Sequence, residues 1–286
     1  MDWLLVDGSS LIFRAFYGVP KTMRAPDGSL NNAIRGFLDT LTRVVSSRRP
    51  TRLAIATDED WRPDWRVRLL PTYKSHRTAE PVPPELIPQL PKIEAVMAAL
   101  GVDMEGAPEF EAEDVIASWA RHIDGTVAIL SGDRDLFGLV EDGHVMVLYP
   151  ERGGLAEVTD AEVRRRYGVA ARSYPDFAVL RGDPSDGLPG VSGIGPKRAA
   201  DLVRRHGSVE GLVAAGALRA SDADYVTRAI EVVRPRADDV PLPEGRRDAY
   251  PTHPEALATL VREFGLGGSA ERFLETLRTV LAPGPS

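Results

Sequence analysis

Residues 4–7 read LLVD, an apolar run that ends in an acid and meets the turn-forming GSS of 8–10 at once. A run of this kind suits a short buried strand with a carboxylate at its C-terminal end. The pattern recurs in RLAIATD (52–58) and TVAILSGD (126–133). VDMEGA (102–107) is a further strand candidate, and HVMVLYP (144–150) reads as the last strand. Helical spacing fills the gaps. Ile34, Phe37, Leu38, Leu41, Val44 and Val45 form a stripe in 31–47, and Ala112, Val115, Ile116 and Trp119 form one in 111–123. Residues 83–101 read mostly as helix, stopping at Gly101. Alternating strands and helices predict an α/β fold with a mainly parallel sheet. From about residue 159 the strand signal ends. Residues 159–234 and 254–281 read as helices, 236–252 as a Pro-rich connecting loop, and the final APGPS as a frayed end.

The chain has 286 residues, 43% hydrophobic and 27% charged, a globular composition that excludes disordered and fibrous classes. Cysteine is absent, which excludes disulfides and thiolate metal sites. The N-terminus carries an acid at Asp2 and too short an apolar run for a signal peptide, and no stretch has the length of a membrane span. A cytoplasmic protein is expected. The net charge of −7 argues at first against nucleic acid. The charge is segregated, however. Segment 61–77, WRPDWRVRLLPTYKSHR, has five Lys/Arg against one Asp, and 197–206, KRAADLVRRH, has four against one.

Asp7, Asp58 and Asp133 end predicted strands, and that edge of a parallel sheet is where ligands bind. Further acids accompany them: Glu111, Glu113 and Asp114 in EFEAED, Asp135 in SGDRD, and Asp183 and Asp186 in RGDPSD. Each piece has a plain structural reading. EAED suits the first turn of a helix, a strand-end Asp forms turns, and Asp133 could cap a short helix. DGSS reads equally as a plain turn or as one lying beside a phosphate or metal-bound water. Three strand-end acids with two acidic clusters make the joint plain reading improbable. Nine carboxylates in one cleft need cations to stay ionised. Oxygen-only ligation favours Mg²⁺ or Mn²⁺ over Zn²⁺. Removing nine negative charges from −7 leaves +2, so the remaining surface is compatible with a phosphate-rich partner.

LPGVSGIGPKRAADLVRRHG (188–207) places glycines before a helix that begins near Pro196 and stops at Gly207. Gly193 and Gly195 let the backbone approach a phosphate, while Lys197 and Arg198 add charge. No strand precedes the element, which weakens a dinucleotide-fold reading. A helix–hairpin–helix gripping a DNA backbone fits better, and such contacts carry no base information. The plain alternative is a tight helix–helix turn.

Five stretches in order resemble the 5′→3′ exonuclease and flap endonuclease family, above all the bacterial 5′ nuclease domain of DNA polymerase I. They are LLVDGSSLIFRAFY (4–17), ATDEDWRPDWRVRLLPTYKSHR (56–77), EFEAEDVIA (109–117), LSGDRDLFGLV (130–140) and LRGDPSDGLPGVSGIGPKRAADL (180–202). The resemblance implies a PIN-like nuclease core over 1–165 with a helical arch at about 59–82. It also implies a helical DNA-binding subdomain of helix–three-turn–helix type over 166–286. Asp7, Asp58, Glu111, Glu113, Asp114, Asp133, Asp135, Asp183 and Asp186 become metal carboxylates by this resemblance. Asp7, Asp58, Glu111 and Glu113 would hold one ion, and Asp133, Asp135 and Asp183 a second. Lys74, Arg77 and Arg14 become the catalytic cations. Arg66, Tyr73, Gly193, Gly195, Lys197 and Arg198 become DNA-binding residues. The carbonyls of Val191 and Ile194 are candidates for a K⁺. Glu113 departs from the usual E-A-D-D of bacterial relatives, and activity is expected to survive.

The activity so implied is hydrolysis of phosphodiesters at DNA 5′ ends, flaps or nicks in replication and repair, by a stand-alone, nucleoid-associated monomer, with RNA primers a further candidate substrate. Lys74 and Arg77, three apart on a helix expected to start at Pro71, would share a face toward the scissile phosphate. Tyr73 would stack on an unpaired base or pack against the arch. Alternatives are a PIN-type ribonuclease, usually shorter and without the hairpin, and a non-catalytic structure-specific DNA-binding protein. A haloacid-type phosphatase would need an acid at position 9, which is Ser9.

Overall fold

The computed structural model describes residues 1–78, 82–236 and 240–282. Residues 79–81 of the expected arch, 237–239 of the expected loop and 283–286 of the expected frayed end lie outside the described residues. One sheet holds β1 (Trp3–Asp7), β2 (Arg52–Ala56), β3 (Asp103–Glu105), β4 (Val127–Leu130), β5 (Val145–Glu151) and β6 (Gly154–Val158). Its order is β3-β2-β1-β4-β5-β6. Neighbours pair in parallel except β5 with β6, which turn back on each other past Gly153 at φ +97°. β6 is absent from the expected strands because GLAEV is a short run in which only Val158 is buried, without the continuous apolar stretch of the inner strands.

The central strands are buried on both faces, as parallel strands under helices must be. Along β1, Trp3 and Leu5 enter one core while Leu4 and Val6 enter the other. The first core is covered by α5 (Ala112–Arg121) and by the helices that follow β6: α6 (Asp160–Tyr167), α7 (Tyr174–Arg181), α8 (Pro196–His206), α9 (Val209–Ala214) and α10 (Ala220–Val233). The second is covered by α1 (Gly8–Gly18), α2 (Asn32–Arg48), α4 (Leu90–Leu100), α11 (Pro254–Phe264) and α12 (Gly267–Val280). α3 (Asp64–Leu69) lies in the basic segment.

The helices of 166–286 therefore do not gather into one subdomain. α11 packs along α4 and α12 along α2, so Leu257, Phe273 and Leu277 bury in the second core, whereas α7 and α10 bury in the first. The Pro-rich loop carries the chain around the sheet edge. There Gly245 accepts from Leu53 N (2.7 Å), and Trp119 Nε1 donates to the Pro241 carbonyl (2.8 Å).

The segment after α3 also departs from expectation. Helix ends before Pro71 instead of starting there, because a residue preceding proline is pushed out of the helical region, and Leu70 sits at φ −139°, ψ 93°. Lys74 has φ +46°, and only a short 3₁₀ turn, Ser75–Thr78, follows. Lys74 and Arg77 do not share a helix face.

Candidate active site

The strand order reverses at β1, with β2 on one side and β4 on the other. Such a switch point opens a crevice beyond the strand C-termini. Asp7 closes β1 and caps α1: its Oδ1 accepts from Ser10 N (2.9 Å) and its Oδ2 from the Ser131 hydroxyl (2.5 Å). Asp58 and Asp133 lie just past their strands, not on them. Ser131 Oγ accepts from Asp133 N (2.8 Å), and Asp133 Oδ1 accepts from Asp135 N (2.9 Å). Asp58 N donates to Ser9 Oγ (3.0 Å), while its Oδ1 takes the Ala112 amide at the start of α5 (2.8 Å). Gly132 N donates to Ser10 Oγ (3.2 Å). The DGSS hydroxyls thus pin the neighbouring acidic loops. Gly8 is required for close approach, since a Cβ there would stand 2.7 Å from Ile55 Cγ2 and 2.9 Å from the Ala56 carbonyl.

Glu111 caps α5, and its amide donates to Asp114 Oδ2 (3.1 Å). Arg66, expected on DNA, is instead fully buried. Its guanidinium pairs with Glu111, with Asp114 (2.7 Å) and with Glu113 (2.8 Å), and its Nε donates to the Val232 carbonyl (3.1 Å). Three carboxylates at one helix start outcompete solvent for that cation. Tyr73 is buried too, its hydroxyl donating to Glu111 Oε2 (2.7 Å), so it packs rather than presenting a ring to a base. Lys74 is buried, with its ammonium on Glu111.

Asp183 and Asp186 sit on the loop after α7. Asp183 accepts from Arg134 (3.0 Å) and Arg181 (3.0 Å), two arginines that sequence reading passed over although Arg134 stands between Asp133 and Asp135. The Asp186 carbonyl accepts from Lys74 N (3.0 Å), and Arg77 donates to the Ser185 carbonyl (3.0 Å). Gly187, at φ +72°, lies so close that a Cβ would stand 2.0 Å from the Thr72 carbonyl. The acidic loop and the base of the basic segment are therefore in direct backbone contact.

Among the described residues two sets of acids have oxygens within 4.8 Å of one another: Glu111, Glu113 and Asp114, and Glu113, Asp133 and Asp135. The acids also act on each other electrostatically. Burial, then the charge of Asp58, pushes Asp7 up to about 7. Burial, then Asp133, pushes Asp186 up to about 6 and Asp135 well above the usual carboxylate range. Burial likewise raises Glu113, Asp58 and Asp114. Glu111 alone among them is lowered, because Lys74 and Arg66 outweigh its burial. An oxygen-only, mutually repelling, buried donor set fits hard divalent cations.

A pH dependence follows. These acids take up protons in the folded state at pH values where the unfolded chain, with carboxylates near about 4, has lost them. Their deprotonation between about pH 4 and pH 7 therefore costs stability. In EDTA the melting temperature should fall as pH rises from 5.5 to 7.5, and added Mg²⁺ should recover most at the upper end. A rising melting temperature in EDTA over that window would contradict the crowding of charge.

The glycine-rich turn enters α8 as expected, with Gly193 at φ +76° and Gly207 ending the helix. Space is open above Gly193 and Gly195, and Lys197 and Arg198 are exposed. Val191 and Ile194 bury their side chains, and the Val191 carbonyl accepts from Ile194 N (2.9 Å). Arg14 is exposed, with its stem over Gly132 beside Asp133.

Residues 2–168 match the family model for the 5′-3′ exonuclease N-terminal resolvase-like domain, and 169–238 that for the 5′-3′ exonuclease C-terminal SAM fold. A 5′-3′ exonuclease of Streptomyces coelicolor is 46% identical over 96% of this chain and 99% of that protein. One of Mycobacterium tuberculosis is 43% identical over 97% and 98%. DNA polymerase I of Mycobacterium bovis is 40% identical over 73% of this chain and 24% of its own length. In fold, the chain is similar to the T5 5′-exonuclease with divalent zinc ions bound, at TM-score 0.67 and 16% identity over 98% of this chain and 99% of that one. It is also similar to the catalytic core of Rad2 in complex with DNA substrate, at TM-score 0.60 and 16% identity over 98% and 92%.

Proposed function

The chain belongs to the 5′-3′ exonuclease family, and from that premise we propose that it is a divalent-metal-dependent, structure-specific nuclease that hydrolyses phosphodiesters at DNA 5′ ends and 5′ flaps. The observation that carries this reading is the meeting of Asp7, Asp58, Glu113, Asp133 and Asp135 at the switch point of the sheet, each buried or half-buried. Asp7, Asp58, Glu113, Asp133 and Asp135 would hold Mg²⁺ or Mn²⁺, with Asp183 and Asp186 at the margin. Such ions supply an activated water and charge stabilisation for the leaving oxygen. Lys74 and Arg77 approach from the basic segment and neutralise charge on the scissile phosphate. Arg14 approaches from α1. Processing of 5′ ends in replication and repair, RNA-primed ends included, is the matching role, in a cytoplasmic, nucleoid-associated monomer. Among the described residues no helix is long and apolar enough to cross a membrane.

The test is a labelled 5′-flap duplex with an RNA-tailed counterpart, with product lengths mapped. Cleavage should require Mg²⁺ or Mn²⁺ and vanish in EDTA. Full activity in EDTA removes the metal reading, and tight binding without cleavage in any divalent ion makes the protein a binding module.

The hairpin supplies the grip on duplex backbone through the exposed Gly193–Arg198 turn, where the carbonyls of Val191 and Ile194 are the candidate K⁺ ligands. Lys197→Ala or Arg198→Ala should weaken binding alike for all sequences. The log–log salt slope should flatten by about one unit for each phosphate that the variant no longer neutralises. An unchanged slope would move the DNA path elsewhere.

A further inference from the structure

Among the described residues two sets of acids have cation-sized spacing, and they differ in the side-chain cations beside them. Glu111, Glu113 and Asp114 surround the Arg66 guanidinium. Asp133 and Asp135 make no ion pair among the described residues. Glu113 belongs to both sets, and its Oε1, though 2.8 Å from Arg66, is buried and accepts no hydrogen bond among the described residues.

We propose that Arg66 is the resident cation of the Glu111–Glu113–Asp114 set, so that this set takes no ion of its own, and that Arg66 positions Glu113 for the ion held with Asp133 and Asp135. The donor inventory supports this. Asp114 Oδ1 accepts from Arg66 and from Arg236 N (2.7 Å), and its Oδ2 from Glu111 N. Glu111 Oε1 holds Lys74, and its Oε2 holds Arg66 and the Tyr73 hydroxyl. In this structure each of these oxygens already has a donor from the chain itself, and those on Asp114 and on Glu111 Oε2 are independent of Lys74. The guanidinium itself is locked from behind. Trp65 and Tyr73 place their rings 4.8 and 5.6 Å from it, and the C-terminal turn of α10 takes its Nε through Val232. A planar five-donor cation satisfies several carboxylates and a carbonyl at once, which a lysine ammonium cannot. Arg66 thereby ties the basic segment, the start of α5 and the end of α10 to the geometry of one carboxylate. This positioning role rests on the divalent-ion reading above for its second half only.

The experiment uses the full chain with Arg66→Gln, Arg66→Lys and Asp114→Asn, and reads thermal melting in EDTA and in Ca²⁺ together with the number of Mn²⁺ ions bound at saturation. Arg66→Gln should melt far below wild type in EDTA, recover disproportionately in Ca²⁺, and bind one Mn²⁺ more than wild type, because an ion can enter where the guanidinium stood. Arg66→Lys should fall between the two. Asp114→Asn, with Arg66 intact, should bind as many Mn²⁺ ions as wild type. An equal loss of melting temperature in EDTA and Ca²⁺ with no gained ion reduces Arg66 to a packing residue and overturns the proposal. Loss of an ion in Asp114→Asn overturns it as well, and this variant decides the matter if Arg66→Gln does not fold under either condition. A wild type that binds no Mn²⁺ refutes the metal reading instead. The EDTA-against-Ca²⁺ difference in Arg66→Gln still decides whether Arg66 replaces an ion.

Discussion

Asp7→Asn and Asp133→Asn should each reduce single-turnover cleavage of a 5′-flap duplex by about 10³-fold or more, the rate equivalent of the several kcal/mol that a catalytic ion supplies. Both acids stand at the same crevice although they are far apart in sequence, joined through the Ser131 hydroxyl. Asparagine keeps the size and one accepting oxygen, so the Ser10 amide retains its partner in Asp7→Asn. What is lost is a negative charge and a strong ligand. Because burial and the charge of Asp58 already push Asp7 up to about 7, a neutral side chain there relieves repulsion. The melting temperature in EDTA should hold or rise, and flap binding in EDTA should persist or tighten. Near-normal cleavage with a lowered melting temperature would make these acids structural caps and remove the main support of the nuclease reading.

Lys74→Ala should slow the same step by about 10²–10³-fold while changing duplex binding far less, the usual cost of losing one positioned donor to a developing charge. Arg77→Ala should act in the same direction. The two residues differ in what else they touch. Lys74 is buried on Glu111, and against the cost of burial Tyr73, Glu111, Glu113 and Asp186 hold its ammonium well above the ordinary lysine range. Arg77 is exposed and only loosely paired with Asp186 (3.5 Å). Lys74→Ala should therefore also lower the melting temperature, because Glu111 loses a buried partner while keeping Arg66 and Tyr73. Single-turnover rates at saturating enzyme separate the chemical step from binding. Unchanged rates in both variants would leave these cations with no part in catalysis.

Much of the architecture was already present in local patterns. Strands buried on both faces must be nearly all apolar, so LLVD, RLAIA and VAIL announce themselves. A helix that covers a sheet must carry a stripe, as 112–119 does. Punctuation is equally local: Gly101 and Gly207 end their helices through backbone conformations open to glycine. The acids could be collected because their strands end at one edge of a parallel sheet, a rule of topology that needs no coordinates.

Other features depended on which groups meet across the fold. Arg66 reads as one more base in a basic segment, and nothing within 61–77 says that three carboxylates and a helix end will enclose it. Tyr73 carries the same ambiguity between stacking and packing, settled by Glu111, a residue remote in sequence. The path of 254–280 was hidden for a similar reason. An apolar stripe such as Leu257, Phe273 and Leu277 requires a partner without specifying it; the backbone bonds of Gly245 to Leu53 on β2 and of His253 to Ala99 on α4 bring the chain to where α11 packs on α4 and α12 on α2. Sequence alone determined the elements, their stops and the edge where the acids gather, because those rest on residues close along the chain and on the rules of parallel sheets. Tertiary structure decided which acids are paired with an internal cation, because charge pairing in a buried site depends on distance in space.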